Sequence, residues 1–148
     1  MAFRFSLDAL LRMWKSREKF ERLRLETLAA RIQLLRHAIE AVEQASREER
    51  KNLASTLSEG VTASQLQFAA LCTDGQRRLR DRMEKQATEL TKQHEAQRKI
   101  FEHARRQRET LENLRSRKLE AYRIEEAREV QQQMDELFLA RRAFTQSE

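Results

Sequence analysis

Leu25, Leu28, Ile32, Leu35, Ile39 and Val42 follow one another at alternating steps of three and four residues, and the same steps reach Leu53 through the polar Ser46 and Glu49. An apolar residue at every 3.5 positions on average is the seam of a coiled coil. Read towards the N-terminus, the steps pass Glu21 and Glu18 and recover Trp14, Leu11 and Leu7. The spacing therefore predicts one helix over about 7–57, roughly 75 Å long at about 1.5 Å per residue. A helix with a single apolar stripe persists only if something covers the stripe, and the source of that cover decides the architecture.

The pattern stops at Ser58-Glu59-Gly60-Val61-Thr62 and restarts at once. Gly60, one of two glycines in a chain without proline, is able to take the left-handed conformation that ends helices. Thr62 and Gln65 have the spacing of a capping box, with Val61 and Leu66 as a hydrophobic staple; Ser6, Asp8, Phe5 and Leu10 suggest the same devices at the start of the first helix. A stop followed by a start makes a helical hairpin. A turn centred on Gly60 sets Leu53 opposite Phe68, Val42 opposite Leu79, Phe20 opposite Phe101 and Leu7 opposite Leu114, with Ile39 and Ile32 near Met83 and Leu90. The expected fold is all-α, a long two-helix antiparallel coiled coil forming a single domain over 1–148. Helix one spans about 7–57, the turn about 58–62 and helix two about 63–144, on the order of 120 Å at the helical rise. Helix one covers helix two only to about residue 114. The remainder overhangs at the C-terminal end, where Met134, Leu137 and Phe138 form an apolar face without an intramolecular partner. Near the tip the seam is thin, with Ser46 opposite Gly75 and Glu49 opposite Cys72, and Thr73-Asp74-Gly75 is expected to be a soft segment.

Thirty basic against twenty-four acidic residues give a net charge of +6, and 36% of the chain is charged. This is the make-up of long helices, not of a layered globule, and its basic excess favours an anionic partner. No run reaches the roughly 20 apolar residues that span a bilayer, and MAFRFSLDALLRMW lacks the apolar centre and cleavage site of a secretory signal. The expected location is cytoplasmic, in a reducing compartment compatible with the lone Cys72.

The residues of catalysis are missing. His94-Glu95-Ala96-Gln97-Arg98 is one position away from a zinc-protease helix, but arginine does not ligate zinc. His37, His94 and His103 have no histidine or cysteine at i+3 or i+4, so no metal site is expected. No phosphate loop, dinucleotide fingerprint or nucleophile elbow is present, and a two-helix rod has no enclosing pocket. The expectation is a protein that is not an enzyme and carries no cofactor. Between Arg98 and Lys118 eight basic residues stand against three acidic ones. Phosphate binding is one reading of that stripe. The favoured one is a solvated face of paired charges such as Glu102 with Arg106 or Glu112 with Arg115, since no base-stacking aromatics accompany it. Near the tip Phe68, Leu71, Cys72 and Leu66 span more of the circumference than one seam needs, which marks a candidate docking patch.

The opening FRFSLDALLRMWKSRE, the turn SEGVTASQLQF and the late run YRIEEAREVQQQMDELFLARRA resemble the FliJ family, the coiled-coil stalk of the flagellar type III export apparatus. The resemblance implies a non-catalytic hairpin, similar to the central shaft of rotary ATPases. Its two termini would enter the pore of a hexameric export ATPase and promote its assembly or activity. It implies contact with the cytoplasmic domain of the export gate protein and with export chaperones, peripheral to the membrane through partners and without nucleic acid. Carried onto this chain, the ATPase-facing residues are Leu7, Leu10, Leu11 and Arg12 with Gln133, Met134, Asp135, Glu136 and Leu137. The gate-facing residues are Phe68, Cys72, Gln76, Leu79 and Met83. Cys72, Asp74 and Gly75 depart from the larger apolar or aromatic residues usual there. The alternatives are the equivalent stalk of an injectisome, a basic coiled coil on nucleic acid or an anionic membrane, and a self-associating structural hairpin.

Overall fold

The structure, a computed structural model, describes residues 3–145. Two helices account for nearly all of them, α1 (Asp8–Glu59) and α2 (Ala63–Thr145), packed against each other as a hairpin. No strand occurs among the described residues. The turn is built as its residues dictate. Gly60 ends α1 with a φ of 98°, a conformation open to glycine because it has no Cβ. Thr62 starts α2: its N–H donates to Gln65 Oε1 at 3.0 Å, its Oγ1 receives the Gln65 N–H at 3.4 Å, and its carbonyl accepts the Leu66 N–H at 3.2 Å. These are the reciprocal bonds of a capping box.

The start of α1 departs from the sequence expectation. Ser6 lies exposed in a turn closed by the Asp8 N–H donating to the Phe5 carbonyl at 3.1 Å, and the Leu7 carbonyl accepts the first helical bond from Leu11 at 2.9 Å. Asp8 is the acidic residue of the first turn, facing the positive end of the helix dipole. Phe5 anchors the entry by packing with Leu11 and Leu111, while Leu10, its expected staple partner, is exposed.

Packing contacts divide the chain into two units, Lys19–Glu102 and the two end segments up to Glu18 and from His103. Along α1 the buried and half-buried positions include Leu7, Leu11, Trp14, Glu18, Glu21, Leu25, Leu28, Ile32, Leu35, Ile39, Val42, Ser46, Glu49 and Leu53, the whole register read from the sequence. The facing stripe of α2 keeps the same step but mixes chemistry. Ala69, Thr73, Gln76, Arg80, Met83, Ala87, Leu90, His94 and Gln97 are covered in the first unit, and Ala104, Arg108 and Leu111 in the second. Phe68 is 69% exposed and does not oppose Leu53; Ala69, one residue on and about 100° further round the helix, takes the seam position. Phe20 is likewise exposed, because Glu21 occupies the seam beside it. α2 runs unbroken through Thr73-Asp74-Gly75, and Gly75 has a negative φ. The segment expected to be soft stays helical, since glycine in helical conformation costs stability without ending the helix.

Candidate functional site

In the unit formed by the end segments, a small apolar core of Phe5, Leu11 and Leu111 is flanked by Phe3, Leu7 and Trp14. Phe3 stacks tilted on Tyr122 with centroids 5.7 Å apart, Trp14 meets His103 edge-on at 5.8 Å, and the Lys118 ammonium lies 5.8 Å from the Phe5 centroid. Beside this core is a charged network. Glu18, 6% exposed, accepts from Arg108 Nε, whose Nη1 bonds Glu112, and Glu112 also pairs with the Lys15 ammonium at 3.0 Å. Burial works to lower the Arg108 pKa, but its bonds to Glu18 and Glu112 outweigh that and leave it raised. The hydrogen bond from Lys15 is the main cause holding the Glu112 carboxyl below the ordinary 4.5; burial opposes it and Arg108 adds to it. Burial, reinforced by Glu126 and Glu129, pushes the Tyr122 hydroxyl above 10.0.

The residues expected to face the ATPase divide by position. Leu11 is 2% exposed and Leu7 is half-buried, so both hold the hairpin together. Leu10 and Arg12 face solvent, Arg12 paired with Asp8 at 3.3 Å. Gln133, Met134, Asp135, Glu136 and Leu137 are all exposed. The fold does not bring this stretch against Leu7–Arg12: the last cross-helix ring contact is at Tyr122, and every residue from Arg123 to Phe144 is exposed. Continuing the α2 seam from Tyr122 by its three- and four-residue steps arrives at Glu125, Glu129, Gln132 and Glu136. The apolar stripe Ala127, Val130, Met134 and Leu137 lies one to two residues away from those positions, roughly 100–200° round the helix. The overhang thus presents acids where α1 would continue and an apolar stripe turned away from it.

In the other unit, the residues expected to face the gate lie on two neighbouring faces. Phe68 and Leu79 are exposed, with Leu71 at 72% beside them. Cys72, Gln76 and Met83 are half-buried at or beside the seam, and Gln76 Nε2 donates to Glu49 at 2.6 Å. In the basic stretch of α2, Arg98 pairs with Glu102 at 3.2 Å, Arg105 with Glu109 at 2.8 Å and Arg108 with Glu112, so part of the stripe is a paired face. Glu112 takes Lys15 and Arg108 as partners in place of the expected Arg115.

Sequence reasoning missed the polar ladder across the hairpin. Glu21, 3% exposed, accepts from Gln97 Nε2 at 2.5 Å, and the same amide reaches the Glu21 carbonyl at 3.2 Å. The signal was present: stepping the seam of α2 by threes and fours through polar residues arrives at Gln97 and Arg108, the partners of Glu21 and Glu18. No group of side chains able to hold a metal occurs among the described residues, and no helix among them is long and apolar enough to cross a membrane.

Two long helices packed as a hairpin, with an uncovered helical end, define a protein of the long antiparallel coiled-coil class. Residues 3–148 match the model of the family described as flagellar FliJ protein, and the chain belongs to that family, a component of the flagellar protein export apparatus. No curated protein and no solved structure matches it.

Proposed function

We propose that the protein is the non-catalytic stalk of the flagellar export apparatus, inserting its terminal end into the hexameric export ATPase and linking that ring to the cytoplasmic domain of the export gate. The observation that carries this reading is the overhang. Met134, Leu137 and Phe138 are 62%, 68% and 66% exposed, and Leu139, 64% exposed, stands on the other side of the helix. A helix with apolar groups on more than one side is stable in water only when enclosed, and a ring with a central hole encloses it. Leu10 and Arg12 supply contacts nearer the hairpin, while Leu7 and Leu11 support them from within. An asymmetric stalk in a symmetric ring changes the ring's assembly or nucleotide state by binding one state better than another. The exposed Phe68, Leu71 and Leu79 are the surface offered to the gate, and export chaperones are further partners on the same exposed faces. Recruitment through these partners places the protein in the cytoplasm at the inner membrane.

The test compares nucleotide hydrolysis and hexamer formation by the export ATPase with the full chain, with a truncation ending at Arg128, and with Met134→Ser/Leu137→Ser. Stimulation by the full chain that disappears in both variants, with the helical signal of the point variant intact, is the expected result. Equal stimulation by all three forms would remove the overhang from the mechanism.

A further inference from the structure

Near the tip, in the unit Lys19–Glu102, the seam contains no large apolar side chain between Val42 and Leu53 on α1 or between Ala69 and Met83 on α2. Its place is taken by Ser46 and Glu49 facing Thr73, Gln76 and Arg80. Beside this polar floor the surface sinks into a groove of about 300 Å³, the lower end of the range that holds small ligands. Its walls carry four arginines, Arg47 and Arg50 from α1 and Arg77 and Arg80 from α2, against one acid, Glu43.

Two observations distinguish this groove from an ordinary charged surface. Arg50 and Arg77 make no ion pair or hydrogen bond among the described residues, whereas Arg47 pairs with Glu43 at 3.5 Å and Arg80 Nη2 bonds Asp81 at 3.1 Å. The floor also holds buried side-chain polar atoms that lack a hydrogen-bond partner, Gln76 Oε1 and Arg80 Nε. Arg80 Nε is ion-paired with Glu84 at 3.4 Å but makes no hydrogen bond to it. A buried donor and a buried acceptor without hydrogen bonds are costly, and here both line the same groove. A group that accepts from guanidinium and donates to an amide oxygen would satisfy both. A phosphate near neutral pH does both, with anionic oxygens for planar arginine forks and a P–OH for the amide.

We propose that this groove binds a phosphate-bearing anion, held between Arg50 and Arg77 from opposite helices and seated on Arg80 and Gln76. Bound there, the anion ties α1 to α2 where their apolar packing is thinnest. The source is either a soluble phosphate or a lipid headgroup.

The experiment titrates the full chain with pyrophosphate by calorimetry at ionic strength fixed with chloride, alongside Arg50→Gln, Arg77→Gln and, as a control, Arg36→Gln outside the groove. Saturable binding that weakens at least tenfold in Arg50→Gln and Arg77→Gln, and stays within twofold in Arg36→Gln, is expected. The three variants should keep the parent's melting temperature in chloride alone. A parallel arm sediments the chain with phosphatidic acid or phosphatidylcholine vesicles. Retention on the former only, lost in Arg50→Gln and Arg77→Gln without pyrophosphate binding, supports the proposal with a headgroup as the phosphate. Equal weakening by all three substitutions reduces the site to diffuse charge and overturns it. So does the absence of binding to either probe, or binding only to a polyglutamate peptide.

Discussion

Replacing Arg108 with methionine tests whether the polar seam is structural. Glu18 is 6% exposed and Arg108 is its charge partner, with a side chain 21% exposed. Methionine fills much of the arginine's volume and removes the charge, leaving the Glu18 carboxylate facing an apolar group. Breaking a buried pair from one side costs about 3–5 kcal/mol, whereas exposed pairs are worth about 0–1 kcal/mol. Because Arg108 keeps some contact with water, the lower end applies, about 3 kcal/mol. For a chain of this size that lowers the melting temperature by roughly 6–12 °C. Glu18→Leu alone should cost less, about 1 kcal/mol, because Arg108 retains its bond to Glu112. The pair Glu18→Leu/Arg108→Met should return to within about 1 kcal/mol of the parent or exceed it, since apolar replacement of a buried pair is often neutral or stabilising. Urea unfolding of the four proteins, followed by far-ultraviolet circular dichroism, closes the cycle. A loss below about 1 kcal/mol in Arg108→Met would show that the pair behaves as a solvated surface contact and would refute the reasoning.

Gly75 lies in an unbroken helix, and a Cβ added there meets nothing within 4 Å. Gly75→Ala should therefore stabilise the protein by up to about 1 kcal/mol in the same unfolding assay. Acid should act through Glu112. Its pKa is held below 4.5, so its contribution is fully present above the unfolded value and disappears as pH falls through the folded one. Melting temperatures of the parent and Glu112→Gln should differ at pH 7 and draw together as the pH falls below 4.5.

The register of the first helix was legible because its seam is mostly leucine and isoleucine, and its three acids, Glu18, Glu21 and Glu49, fall on a periodicity already set by their neighbours. The second helix was legible only as an extent. Its seam alternates apolar residues with Thr73, Gln76, Arg80, His94, Gln97 and Arg108, and a search for apolar spacing slides past these onto Phe68 or Leu79, which the fold leaves exposed. The turn was readable because Gly60 and the Thr62 and Gln65 pair act locally. Ser6 misled because the packing of Phe5 on Leu11 and Leu111, a contact distant in sequence, decides where the first helix begins. At the candidate site, the exposure of Met134 and Leu137 followed from the unequal helix lengths. That Leu7 and Leu11 serve as core followed only from seeing Leu111 against them.

The polar ladder bears on how such a protein works. A coiled coil of uniform leucine tolerates slippage by a heptad, because each apolar layer resembles the next, whereas single polar layers fix register. Here Glu21 with Gln97 and Glu49 with Gln76 mark the first unit, and Glu18 with Arg108 marks the unit of the end segments. A heptad slip in the first unit would leave Glu21 opposite Leu90 or Ala104 and Glu49 opposite Ala69 or Met83. Such a slip is opposed by the desolvation of those charges, not by the small difference between two apolar layers. For a component whose proposed task is to carry the state of one partner to another along its helices, a register that does not drift under load is worth the stability that a fully apolar seam would have added.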